Sequence, residues 1–237
     1  MKAERTRIKI CGVTREEDVD AAVAAGADAV GFVLYAPSPR YVNAERAAEL
    51  ASRLPPFVTP VLLFVNASAT EIIAACTGIP GALVQFHGDE TPEMCRQIGR
   101  PFMRAARIPR GDKADDQLGY FDLVKYAHAF NAAQAILLDA HVDGFGGGGK
   151  TFNWSLLPPN VDAHLVLSGG LTPANVIDGI LQVRPRGKSL AVDVSSGVEI
   201  SKGIKSADKI NQFVAAVRAA DDQLAKNVIH HVRVPAT

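Results

Sequence analysis

The chain has 237 residues, and its 25 basic and 25 acidic side chains cancel to a formal charge of zero. That balance argues against a broad electrostatic surface for nucleic acid or anionic lipid, and 48% hydrophobic against 21% charged residues excludes an extended disordered chain. Three cysteines, Cys11, Cys76 and Cys95, make neither a disulfide framework nor a C-x-x-C zinc pair. No stretch approaches the roughly 20 apolar residues that span a bilayer, and MKAERTRIKIC lacks the apolar run of a secretion signal. The expectation is a cytoplasmic protein that binds neither membrane nor nucleic acid.

Short apolar, β-branched runs predict strands at 7–11, 28–34, 59–65, 82–86, 101–108, 135–139, 164–168 and 190–194. The fifth is the least regular, because Arg104 and Arg107 interrupt its apolar pattern. Amphipathic segments lie between the runs. Asn43, Ser68 with Glu71, Thr91 before Pro92, and Thr172 before Pro173 are expected helix N-caps. Ile210, Phe213, Val214 and Val217 form the stripe of a last helix packed on the core. Eight strands alternating with helices call for a parallel sheet with right-handed crossovers. The length fits an α/β single-domain (β/α)8 TIM barrel over residues 1–220, since such barrels take about 250 residues. An open doubly wound sheet is the competing arrangement. Residues 221–237 are expected to be a C-terminal extension.

In a barrel of this kind, function sits where the strands end. Strand one ends KICGVT, and alternation puts Lys9 inside the barrel and Cys11 at its mouth. Arg40, on the proline-stiffened loop YAPSPRYV, is either a solvated surface arginine or a guanidinium suited to a carboxylate. His87 ends strand four as a base, a ligand or a structural histidine, with no second histidine at metal spacing. Asp139 ends strand six and points into the mouth.

Beyond Asp139 lies GFGGGGKT, from Gly144 to Thr151, which matches the nucleotide-binding pattern G-x-x-x-x-G-K-[ST]. AHVDG separates it from the strand, and TFNWSLLPPN offers no long helix after it. A flexible loop with Gly147 and Gly148 beside the site is therefore preferred to a P-loop. Strands seven and eight end LSGGLTPANV and VDVSSGVE. Gly169, Gly170, Ser195, Ser196 and Gly197 can converge N–H and hydroxyl groups on a phosphate. Asp193 faces inward and, once the barrel closes, stands ready to neutralise Lys9.

KICGVT, GADAVGFV, SPRYV, LLFVN, VQFHGDE, LLDA with GGGGKTFNW, LVLSGGLTPANV and AVDVSSGVE run in order through the chain. This set closely resembles phosphoribosylanthranilate isomerase, an enzyme of tryptophan biosynthesis. The departures are prolines and Ser38 where the family often has a lysine, a longer RPRGKS segment, and the tail after Ala220. The resemblance implies an Amadori rearrangement of N-(5-phosphoribosyl)anthranilate with no metal and no cofactor. It maps the general acid onto Asp139, the general base onto Cys11 and the anthranilate-binding arginine onto Arg40. It implies a small-molecule phosphosugar substrate; a monomer or homodimer is expected. Another phosphosugar barrel, such as indole-glycerol-phosphate synthase, would call for a lysine acid at a strand end, and a barrel that only binds a phosphate ligand is the noncatalytic alternative.

Overall fold

The computed structural model describes residues 5–109, 121–140 and 151–232. Eight parallel strands, hydrogen-bonded in sequence order, close into a barrel, the last pairing with the first. They are β1 (Arg7–Cys11), β2 (Ala29–Val33), β3 (Thr59–Phe64), β4 (Leu83–Phe86), β5 (Phe102–Ile108), β6 (Ala135–Ala140), β7 (His164–Leu167) and β8 (Ser189–Val194). Around them run α1 (Glu16–Ala24), α2 (Ala44–Ala51), α3 (Ala69–Gly78), α4 (Pro92–Gln97), α5 (Leu123–Ala129), α6 (Val176–Val183) and α7 (Ala207–Val232). Between β6 and β7 the described residues contain only a 3₁₀ turn, Trp154–Leu156. After β8 a short antiparallel pair, β9 (Glu199–Ser201) and β10 (Ile204–Lys205), precedes α7.

The strands are apolar on both faces because both faces are buried. Outward residues such as Ile8, Ile10, Val30, Phe32 and Leu138 pack under the helices. Inward, Val61, Met103, Ala105, Leu137 and Val166 fill the barrel, and Cys11, Val33, Leu63 and Val65 form a second cluster at its mouth. The parity of β5 explains its irregular pattern. Arg104 points outward, where it donates to the carbonyls of Phe86 and Gly88, pairs with Glu90 and lies over the Phe130 ring. Arg107 stands in register with Asp139 and pairs with Asp89.

Three helices start as the sequence predicts. Asn43 accepts from Arg46 N, Ser68 and Glu71 form a reciprocal capping box, and Thr91 accepts from Met94 N ahead of Pro92 at the first turn. The cap expected at Thr172 is not made. Thr172 and Pro173 lie in a turn, and α6 begins later, at Val176. Asn175 uses its side chain on that turn instead: Oδ1 accepts from Thr172 N at 2.8 Å and Nδ2 donates to Gly170 O at 3.0 Å. Ordering the glycine turn thus occupies the Asn175 side chain and leaves the N-cap position of α6 without a side-chain bond. Helix α7 runs across residue 220, and Asp221 accepts from Thr6 N at the foot of β1. None of the described helices is long and apolar enough to cross a membrane.

Candidate active site

The mouth of the barrel is built by the inward residues at the strand ends. Lys9 and Asp193 are in register across the closure, with Nζ 2.7 Å from Oδ1, and both side chains are buried. Ser168, at the end of β7, donates to the other oxygen of Asp193 at 3.1 Å. Cys11 lies one inward position above Lys9. A β-carbon built on Gly31 would stand 2.9 Å from Cys11 Sγ and 3.0 Å from Lys9 Nζ, so that glycine makes room for both. Burial works against the Lys9 ammonium, but the charge and hydrogen bond of Asp193, helped by Cys11, hold it above the ordinary lysine range. Burial pushes the Cys11 thiol up. Lys9 and Lys205 pull it down, and Asp193 works against them. Lys9 thus favours the thiolate, yet burial outweighs it.

Asp139 ends β6 on the same inner face. His87 Nε2 lies 3.0 Å from its Oδ2, and Gln85 Nε2 lies 3.1 Å from His87 Nδ1; all three side chains are buried. The other carboxyl oxygen faces the turn after β7. Gly169 there has φ +77°, and a β-carbon on it would fall 2.6 Å from Ala140 N and 2.9 Å from Asp139 Oδ1. Any side chain at that position would be strained and would press on the carboxyl group.

Arg40 is buried rather than solvated. Its Nε and Nη2 donate to the two oxygens of Glu199 at 2.7 and 2.8 Å. This bidentate pair raises the guanidinium pKa further, so it stays charged. Nη1 and the second hydrogen of Nη2 remain at the end of the fork, a pair of parallel donors matched to another carboxylate. Lys205 on β10 reaches Glu199 Oε1 at 2.9 Å and Ser195 O and Oγ at 3.2 Å. Burial lowers its pKa despite Glu199. Sequence reasoning assigned no role to Glu199, Lys205 or Gln85. Glu199 closes the block VDVSSGVE and was legible as a carboxylate just past a strand end; Lys205 carries no periodic signal.

The turns after β7 and β8 touch. A β-carbon on Gly197 would fall 1.9 Å from Leu171 O, so the glycine is what lets the two loops meet. Gly169, Gly170, Ser195, Ser196 and Gly197 are thereby gathered at one edge of the mouth, and Ser196–Val198 form a short 3₁₀ turn. Gly147 and Gly148 lie outside the described residues. After Thr151 comes the 3₁₀ turn at Trp154, not the α-helix that a P-loop requires.

Known proteins resemble the chain along most of its length. The family model for N-(5'-phosphoribosyl)anthranilate (PRA) isomerase matches residues 8–216. An N-(5'-phosphoribosyl)anthranilate isomerase of Methylibium petroleiphilum is 60% identical over 225 residues, 95% of this chain and 100% of that protein. The crystal structure of phosphoribosyl anthranilate isomerase from Thermotoga maritima is 40% identical with a TM-score of 0.76, over 90% of this chain and 99% of that one. A second isomerase structure, in complex with reduced 1-(o-carboxyphenylamino)-1-deoxyribulose 5-phosphate, is 36% identical with a TM-score of 0.71, over the same shares of the two chains. The chain belongs to the N-(5'-phosphoribosyl)anthranilate isomerase family.

Proposed function

We infer that the chain isomerises N-(5-phosphoribosyl)anthranilate to 1-(2-carboxyphenylamino)-1-deoxyribulose 5-phosphate, the step of tryptophan biosynthesis for which its family is named. The observation that carries the assignment of roles is the pairing, at one barrel mouth, of a buried thiol and a buried carboxyl group beside two touching glycine turns. Asp139 protonates the furanose ring oxygen, and the ring opens to a Schiff base. Cys11, in its thiolate form, the minor form given its raised pKa, removes the C2′ proton to give an enolamine, which tautomerises to the ketone. Arg40 holds the anthranilate carboxylate with the free end of its fork, while Glu199 fixes the fork's other edge. Gly169, Gly170, Ser195, Ser196 and Gly197 hold the phosphate, with Gly147 and Gly148 contributing. These steps are proton transfers and call for no metal or cofactor. The enzyme acts on a small phosphosugar in the cytoplasm, as a monomer or homodimer.

The test is direct. Purified protein should consume N-(5-phosphoribosyl)anthranilate with a loss of anthranilate-type fluorescence, and the gene should restore growth without tryptophan to a strain lacking this one step. Failure of both would remove the assignment.

A further inference from the structure

Gln85 is out of place by any stability argument. It is fully buried in the barrel interior, in register with Leu63 on β3 and Met103 on β5. Its Nε2 lies 3.1 Å from His87 Nδ1, but its Oε1 is buried without a hydrogen-bond partner among the described residues. A half-satisfied amide inside an apolar layer costs stability, and an aliphatic side chain of similar size would avoid that cost. Its use emerges one hydrogen bond further on.

With its amide nitrogen against Nδ1, Gln85 is a donor there. Nδ1 then carries no proton, and neutral His87 bears its hydrogen on Nε2. That N–H points at Asp139 Oδ2, 3.0 Å away. A carboxyl oxygen that accepts this bond is not free to point its own proton along the same line. Oδ1 faces the Gly169 turn instead, on the side of the proposed phosphate loops.

We propose that Gln85 and His87 are positioning residues for the general acid: Gln85 locks the Nε2–H tautomer of His87, His87 occupies Oδ2 of Asp139, and the deliverable proton is thereby held on Oδ1. The proposal rests on the assignment of Asp139 as the acid. In the transfer, the Oδ1–H bond breaks, the proton bonds to the ring oxygen, and the electron pair stays on the carboxylate. The carboxylate keeps the His87 N–H, and His87 remains neutral throughout.

The opposite amide orientation would undo this. With Oε1 against a protonated Nδ1, Nε2 is either bare or part of an imidazolium. A bare Nε2 draws the acid's proton onto Oδ2, away from the Gly169 turn. An imidazolium leaves Asp139 ionised and unable to donate. Among the described residues, the other charges around the pair are Arg107 of β5, in register with Asp139 and paired with Asp89; Arg104 with Glu90 behind β4; and Lys9 with Asp193 on the far strands.

The experiment compares Gln85→Leu, His87→Leu, His87→Gln and Asp139→Asn with wild type by kcat, KM, melting temperature and ¹⁵N NMR of the His87 imidazole. Gln85→Leu should melt at or above the wild-type temperature, keep KM, and lose about tenfold or more in kcat, a part of the 10²–10⁴ that a positioned acid contributes. His87→Leu should lose at least as much. His87→Gln, whose amide N–H reaches toward Oδ2 but cannot become a cation, should recover most of kcat. The imidazole should bear its proton on Nε2 in wild type and show a tautomer mixture in Gln85→Leu. Full kcat in Gln85→Leu, a loss in His87→Gln as deep as in His87→Leu, or an Nδ1–H or imidazolium signal in the resting enzyme would overturn the proposal. If Asp139→Asn turns over like wild type, the acid assignment itself has failed. If Asp139→Asn is inactive while the Gln85 and His87 variants keep full kcat, only the positioning role has.

Discussion

Replacing Asp193 by Asn tests the electrostatics of the barrel centre and the state of Cys11 together. Lys9 and Asp193 are 4% and 6% exposed, with Nζ and Oδ1 2.7 Å apart, so solvent screens the pair little. Removing one partner of a buried ion pair costs about 3–5 kcal/mol, because the remaining charge is left uncompensated. The Asn carbonyl still accepts from Lys9, which puts the expected loss near the lower end. At about 2–4 °C per kcal/mol for a domain of this size, the melting temperature should fall by roughly 6–12 °C. The pH dependence has a definite sign. The folded-state pKa of Lys9 is raised above its ordinary value of 10.5, so Lys9 keeps its side of the pair below that pH and gives it up as pH rises beyond it. The gap between wild type and variant should therefore stay constant across neutral pH and narrow in strong alkali.

The same substitution should move Cys11 the other way. Asp193 opposes ionisation of the thiol and Lys9 favours it; without the aspartate, the lysine charge has burial against it but no longer the carboxylate. The rate of Cys11 alkylation as a function of pH should shift to lower pH in Asp193→Asn, whereas in wild type it should rise only above the ordinary thiol value of 9.0. Calorimetry and iodoacetamide labelling, with Cys76 and Cys95 replaced, read the two effects. An unchanged melting temperature would mean that Lys9 carries no buried charge. An alkylation profile that stays put, or moves to higher pH, would refute the coupling of Cys11 to the pair.

Cys11→Ala and Asp139→Asn should each fold and lose about 10²–10⁴-fold in kcat; more than about half of wild-type kcat in either would remove that residue from the mechanism. Arg40→Ala should raise KM with little change in kcat, because the carboxylate contact exists in both ground and transition states. An analogue without the carboxylate should bind equally to both proteins, and equal losses on the two ligands would place Arg40 elsewhere. Gly197→Ala puts a methyl group where Leu171 O now lies, 1.9 Å from the β-carbon position. The two loops must part, so calorimetric binding of the reduced, singly phosphorylated product analogue should weaken by about tenfold or more, a loss of about 1.4 kcal/mol; unchanged affinity would remove the loops from phosphate binding.

The barrel was legible because its signals are local. Parallel strands buried on both faces read as continuous apolar runs, and all eight predicted runs overlap the observed strands. Caps made by adjacent residues, as at Asn43, Ser68 and Thr91, were legible for the same reason. Thr172 is not the cap because α6 begins at Val176, after the turn that the Asn175 side chain orders. α5 was not predicted: LVKYAHA has seven residues and carries lysine, tyrosine and histidine, too short and mixed for a clear stripe. β9 and β10 have three and two residues and exist through their pairing with each other.

The site divides along a different line, that of parity. Lys9, Gln85, Asp139 and Asp193 each break an apolar strand at an inward position, and inward breaks at the mouth end were readable as soon as strand direction was fixed. Strand β5 makes the point within one element. Arg107 is inward at the mouth, while Arg104, three residues earlier, faces out and serves the backbone of its neighbour. The partners were not readable in the same way. Glu199 meets Arg40 across 159 positions of sequence, and His87 meets Asp139 across 52. Neither loop carries a periodicity that fixes where its side chains arrive. A buried polar residue on an inward face therefore announces from sequence that something must pair with it. Its partner becomes known only when the ring closes, as with the Gln85 amide, whose bond to His87 leaves a carbonyl oxygen unmatched among the described residues.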